Sequence, residues 1–116
     1  MALNTIWHNP RCAKSRTALK LLKDRSIDVT VFYYLNEIIN YEDLILVVKK
    51  LSIPTIQLVR KNEKIFRALG LSRSSKDEVL IQAMLQNPIL VERPIVVSGE
   101  RAVIGRPPER VLDLFN

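Results

Sequence analysis

The amino-acid sequence predicts an α/β fold: a mixed four-stranded sheet built from a βαβ unit and a β-hairpin, with an all-helical insertion between them. Three observations predict it. Two strand-like runs, residues 2 to 7 and 29 to 34, bracket a segment whose apolar residues recur at helical spacing. Near the C-terminus, Pro94-Ile95-Val96-Val97 and Arg101-Ala102-Val103-Ile104 flank Ser98-Gly99-Glu100, two short apolar runs about a glycine-containing turn. The stretch from 41 to 87 carries helix signals and helix stops throughout.

Residues 2 to 7 (Ala-Leu-Asn-Thr-Ile-Trp) form the expected first strand. From Ala13 to about Asp24, the residues Ala18, Leu21 and Leu22 lie on one helical face. The run Val-Thr-Val-Phe-Tyr-Tyr at 29 to 34 is rich in branched and aromatic residues. That composition reads as a central parallel strand buried on both faces and joined to the first by the helix. Next, Leu44, Val47, Val48 and Leu51 share a helix face, with acids early and Lys49-Lys50 late, in keeping with the helix dipole, and Ser52-Ile53-Pro54 ends it. Residues 55 to 69 read as short helical pieces closed by Gly70. Ser75-Lys76-Asp77-Glu78 reads as a capping box opening a helix to about Gln86, which Asn87-Pro88 stops. After the hairpin, Pro107-Pro108 starts a closing helix with Val111, Leu112 and Phe115 facing inward. A length of 116 residues, 47% of them hydrophobic, suits one domain with a single core. Residues 1–35 and 88–116 are expected to form the sheet-bearing part and 41–87 the insertion.

Several function classes are disfavoured. One cysteine rules out a disulfide framework, and one histidine rules out the usual zinc spacings, so no metal is expected and a reducing, cytoplasmic setting is. The start Met1-Ala2-Leu3-Asn4 is not signal-like, and the longest apolar run, Leu44 to Val48, is too short to span a bilayer. The net charge of +6 is spread among acids without an aromatic-rich basic stripe, so a small anion fits it better than nucleic acid.

Cys12 is the chemical focus. A lone cysteine is usually a small buried hydrophobe, but this one lies in His8-Asn9-Pro10-Arg11-Cys12-Ala13-Lys14-Ser15-Arg16, where a strand gives way to a helix. A helix start offers unpaired N–H groups and partial positive charge, and Arg11, Lys14 and Arg16 add cations. Asn9-Pro10 marks a loop, and Ser15 on the first turn can direct its hydroxyl at the sulfur. A free thiol with a pKa near 8.5 is only about 3% thiolate at pH 7, and a fall of about two units raises that to roughly three quarters. With no second cysteine, any disulfide on Cys12 must be made with, and resolved by, a thiol from outside the chain.

A βαβ unit followed by a β-hairpin and a helix, with a thiol at the first helix start, is the order of a thioredoxin-like, glutaredoxin-type domain. At this point the chain resembles the glutathione- and glutaredoxin-linked arsenate reductases, through His8-Asn9-Pro10-Arg11-Cys12, Arg60, Glu92-Arg93-Pro94-Ile95-Val96 and Gly105-Arg106-Pro107-Pro108. The resemblance covers essentially the whole chain and is nearest to short members of about this length. It implies that Cys12 is the nucleophile, that Arg60, Arg93 and Arg106 form an oxyanion site, and that Pro94 is a cis-proline near the thiol. His8 is either a polar loop residue or a cation that helps hold the thiolate. Ser15 stands where dithiol proteins of this fold class carry their second cysteine.

The implied reaction is reduction of arsenate to arsenite. It proceeds through a covalent thio-arsenate on Cys12, with glutathione as co-substrate, glutaredoxin as protein partner and no bound cofactor. A monomer is expected. Two alternatives accompany this reading. One is a glutathione-linked thiol transferase, for which the arginines would matter less. The other is an Spx-type binding protein without catalysis, disfavoured because those regulators generally carry a second cysteine where Ser15 stands.

Overall fold

The computed structural model describes residues 3–115, so Ala2 of the expected first strand lies outside the described residues. The chain divides into two compact units, Met1–Glu37 with Arg93–Asn116, and Ile38–Glu92. The boundaries fall at 37/38 and 92/93, so residues 88–92 go with the helical unit and not, as expected, with the sheet.

The first unit holds β1 (Asn4–Trp7), α1 (Ala13–Asp24), β2 (Thr30–Phe32), β3 (Ile95–Ser98) and β4 (Arg101–Ile104). Its sheet has the order β2-β1-β3-β4, with β1 parallel to β2 and antiparallel to β3, and β3 antiparallel to β4. This is the thioredoxin-like arrangement of a mixed four-stranded sheet. Ile6 pairs with Val31 on one side and Val96 on the other, so these residues share a face, as the two-residue strand period requires. Ile6 and Val96 are fully buried with Ala18 and Leu22 of α1 and with Val111. Val111 lies in Pro108–Phe115, which winds as 3-10 turns where an ordinary helix was expected; Leu112 and Phe115 face the core as anticipated. On the opposite sheet face Trp7 meets Phe32 edge to face at 5.0 Å and stacks on Tyr34 at 6.2 Å.

β2 corrects the expectation of a central strand. It is three residues long and sits at the sheet edge, with Thr30 exposed and Val31 and Phe32 half-buried. Its apolar composition serves two separate contacts, Val31 on the α1 side and Phe32 on Trp7. Tyr34, expected within the strand, is buried just beyond its end. In the hairpin Ser98 pairs with Arg101, and Gly99, with φ +58°, takes the first position of the two-residue turn, where type II′ turns favour glycine.

The second unit contains α2 (Tyr41–Leu51), a 3-10 turn at Thr55–Leu58, α3 (Lys64–Ala68), α4 (Asp77–Gln86) and a 3-10 turn at Pro88–Leu90. α2 buries Leu44, Val47 and Leu51, and α4 buries Leu80, Ile81, Ala83 and Met84. The insertion is not wholly helical: Val59 and Val91 form an antiparallel bridge, with Arg60 N–H donating to Leu90 O at 2.7 Å and Glu92 N–H to Leu58 O at 2.8 Å. The capping box at Ser75 is also corrected. Lys76 occupies the N-cap of α4 without a side-chain cap, and Ser75 Oγ instead accepts the Ser72 N–H at 2.9 Å. A serine-rich turn just upstream competes for that hydroxyl.

Candidate active site

β1 ends at buried Trp7, buried His8 follows it, and the chain then turns through Asn9-Pro10-Arg11 into Cys12. Cys12 N–H donates to Asn9 O at 3.0 Å, closing a tight turn, while Asn9 Oδ1 accepts the Arg11 N–H at 3.0 Å. Arg16 Nη1 ties the loop to α1 by donating to Pro10 O at 2.8 Å. Cys12 is the N-cap of α1, in extended conformation, with no side-chain cap and no acidic residue in the first turn. The N–H groups of the first turn are thereby left to the sulfur.

Burial is the largest single influence on Cys12 and pushes its pKa up. The Ser15 N–H, the hydrogen bond and charge of the Arg93 guanidinium, and the Lys14 N–H together outweigh it, and the thiol lies below its ordinary range. Ser15 thus acts on sulfur through its backbone. The expected hydroxyl contact is replaced by another: Ser15 Oγ, fully buried, lies 2.6 Å from His8 Nδ1 and accepts the Asn9 N–H at 3.1 Å.

Cationic His8 is also corrected. The residue is 5% exposed, and burial first, then the charges of Arg16 and Lys23, press its pKa below the usual imidazole value. The neutral ring is held by Ser15 and meets Tyr33 edge to face at 5.8 Å. It supports the loop and the first turn of α1, and brings no positive charge to the thiolate.

The Arg93–Pro94 bond is cis, as the resemblance implies, and so is Arg106–Pro107, for which the sequence offered no expectation. Gly105 N–H donates to Pro94 O at 2.8 Å and Arg106 Nη1 to Arg93 O at 2.9 Å, so the segment after β4 grips the segment before β3. Gly105 permits this approach: a Cβ there would stand 2.8 Å from Pro94 Cγ and 2.9 Å from Val111 Cγ1. Cys12, Ser15, His8, Arg93, Pro94 and Arg106 all belong to the first unit. Arg60 belongs to the second, where its guanidinium lies 3.2 Å from Glu63 and 3.7 Å from Glu92. The sequence reading marked Asn9-Pro10 as a loop but named neither the Asn9 hydrogen bonds that close it nor the Lys14 N–H as a donor to sulfur.

This combination of a thiol, amide donors and a guanidinium can hold a thiolate and receive an oxyanion. Among the described residues, no group of three or more His, Cys, Asp or Glu side chains stands together as a metal site. No helix is long and apolar enough to cross a membrane, again among the described residues.

Comparison with known proteins matches residues 7–114 to the family model described as the ArsC family. The chain belongs to the ArsC family. It is 45% identical over 111 residues to the Escherichia coli (strain K12) protein named "Uncharacterized protein YfgD", covering 94% of this chain and 93% of that one. It is 37% identical over 112 residues to a Haemophilus influenzae protein named arsenate reductase, covering 95% and 97% of the two chains. Among solved structures, "Arsenate reductase from Vibrio cholerae" superimposes with a TM-score of 0.92 at 37% identity, covering 97% of each chain. These ArsC relatives agree with the fold assigned above.

Proposed function

We propose that this ArsC-family protein is an arsenate reductase that uses glutathione and glutaredoxin as electron donors. The observation that carries this reading is the Cys12 sulfur, set at an uncapped helix start and engaged by Ser15 N–H, Lys14 N–H and Arg93. Relatives named arsenate reductase over nearly the whole chain favour arsenate as the oxyanion.

In this mechanism the Cys12 thiolate attacks arsenic(V), forming an S–As bond as a protonated arsenate oxygen departs as water. Arg93 and the first-turn N–H groups of α1 neutralise the oxyanion charge. Arg106 acts in part by holding the Arg93 carbonyl, and Arg60 enters the reading through its motif position. Glutathione thiolate then attacks the Cys12 sulfur. The S–As bond breaks, its electron pair reduces arsenic(V) to arsenite, and the two sulfurs join as a mixed disulfide. Glutaredoxin takes the glutathione from that disulfide and returns Cys12 as thiolate. Neutral His8 keeps Ser15 in place throughout. The protein works as a cytoplasmic monomer without a bound cofactor.

The test is steady-state NADPH oxidation with arsenate, glutathione, glutaredoxin and glutathione reductase. Oxidation that depends on both arsenate and this protein is the expected result, and its absence overturns the reading. The lowered pKa of the half-buried Cys12 thiol also favours a second reading, a glutathione-linked thiol transferase. Turnover of a glutathionylated peptide without turnover of arsenate would select it.

A further inference from the structure

A cavity of about 260 Å³ opens beside the nucleophile loop, at the carboxyl ends of the parallel strands β1 and β2. That end of a parallel pair is where α/β folds generally receive ligands. Its lining comes from the nucleophile loop, including His8, Asn9 and Arg11, and from the segment at the end of β2, with Tyr33, Leu35 and Asn36. Asn9 is the residue whose carbonyl accepts the Cys12 N–H, so the cavity lies within one tight turn of the thiol's own backbone.

The chemistry of this lining is mixed in a specific way. Arg11 is an exposed cation, and Asn9 and Asn36 carry amide groups suited to peptide bonds, although Asn9 Oδ1 is already occupied by the Arg11 N–H. Tyr33 and Leu35, both exposed, supply an apolar wall. Positive charge continues along α1 at exposed Arg16 and Lys23, while Lys20 between them is paired with Asp24 at 2.8 Å. Arg16 and Lys23 act electrostatically on His8 in the cavity wall. The nearby acid on the 33–37 segment, Glu37, is turned onto the Tyr33 N–H at 3.1 Å. The volume lies just under the roughly 300–1,000 Å³ typical of small-molecule pockets, which suits an occupant of tripeptide size.

We infer that this cavity binds the thiol co-substrate: a small peptide thiol with free carboxylates, its anionic end at Arg11 and its amides at Asn9 and Asn36. The inference rests on the reading that a small thiol resolves the Cys12 adduct, and it assigns that thiol a place the resemblance does not specify. Bound here, the co-substrate occupies the β2 side of the Cys12 turn, leaving the Arg93 side to the oxyanion. The two reactants then have separate determinants, and the thiol can be weakened without weakening the oxyanion.

The test uses the full-length protein and S-methylglutathione, an unreactive probe, followed by amide NMR without arsenate. Saturable shifts are expected at Asn9, Arg11, Tyr33, Leu35 and Asn36, with at least tenfold weaker binding by Arg11→Glu and by the probe with esterified carboxylates. In the arsenate assay Asn36→Asp, which brings a negative charge to the cavity lining away from the Cys12 turn, should raise KM for glutathione about tenfold and leave KM for arsenate within twofold. Shifts confined to other segments, or wild-type affinity in Arg11→Glu, overturn the inference. So does an Arg11→Glu defect seen only toward glutaredoxin, which would assign this surface to the protein partner. Because probe binding needs no turnover, it can succeed even if arsenate reduction fails, and the two readings fall separately.

Discussion

α1 and α2 are helices of nearly equal length, 12 and 11 residues, with opposite solutions at their N-termini. α2 is capped in the ordinary way. Asn40 accepts the Glu42 N–H at 2.8 Å, and Glu42 and Asp43 place negative charge on the first turn. α1 has Cys12 in the same position, no side-chain cap and no acid in its first turn. Toward their C-termini both reach a left-handed serine, Ser26 at φ +58° one position past the Arg25 C-cap of α1 and Ser52 at φ +55° as the C-cap of α2. The difference that bears on chemistry is at the N-termini. A helix whose first N–H groups are satisfied by its own side chain has nothing to offer an anion, whereas α1 keeps those donors for sulfur and substrate at a cost in local stability.

Cys12→Ser breaks the comparison most severely. Arsenate turnover should fall to background, because a hydroxyl neither attacks arsenic nor forms a disulfide. Serine is a favoured N-cap, so thermal unfolding of the same variant should show a gain of roughly 0.5–1 kcal/mol. Residual turnover would mean that another group is the nucleophile.

Arg93→Lys retains charge but loses the planar fork at the sulfur, and should lower kcat/KM for arsenate by about tenfold or more, about 1.4 kcal/mol. Arg60→Lys and Arg106→Lys are expected to show losses of the same order if all three serve the oxyanion. Equal proportional losses toward arsenate and a glutathionylated peptide would argue against a specific oxyanion site. Iodoacetamide alkylation of the wild type should reach half its plateau rate at a pH below about 8.5, since the rate follows the thiolate and the Cys12 pKa is depressed. Arg93→Lys should move that midpoint upward. A depressed thiol pKa stabilises the fold above the ordinary thiol pKa, and this contribution fades as pH falls through the lowered value.

Asn40→Ala removes the cap that α1 lacks. It should cost about 1 kcal/mol by urea unfolding and leave the Cys12 alkylation midpoint in place. The smallest effect is expected from Ser26→Gly. Ser26 N–H donates to Lys23 O at 2.9 Å and Ile27 N–H to Leu22 O at 3.0 Å, a Schellman closure that favours glycine at the left-handed position. A gain of about 0.5 kcal/mol in the same unfolding assay is expected.

The sequence by itself determined the order of the elements, the placement of Cys12 at the start of α1 and the thioredoxin-like arrangement. These rest on local periodicity and on chain punctuation such as Asn9-Pro10, Gly99 and Pro107-Pro108, which act over a few residues. It could not determine which sheet position 29–34 would occupy, because branched and aromatic residues suit an edge packed on Trp7 as well as a central strand. Nor could it decide among rival hydrogen bonds. Ser75 had an α4 amide and the Ser72 N–H within reach, and Ser15 had sulfur, His8 and the Asn9 N–H. The 72–75 turn settled the first choice, and the burial of His8 against Ser15 settled the second. The charge of His8 followed from burial beside Arg16 and Lys23, and the Arg93 contact with Cys12 spans 81 positions in sequence. Such long-range proximity depends on how β1 and β3 pair, and no local pattern encodes the electrostatic field that this pairing creates.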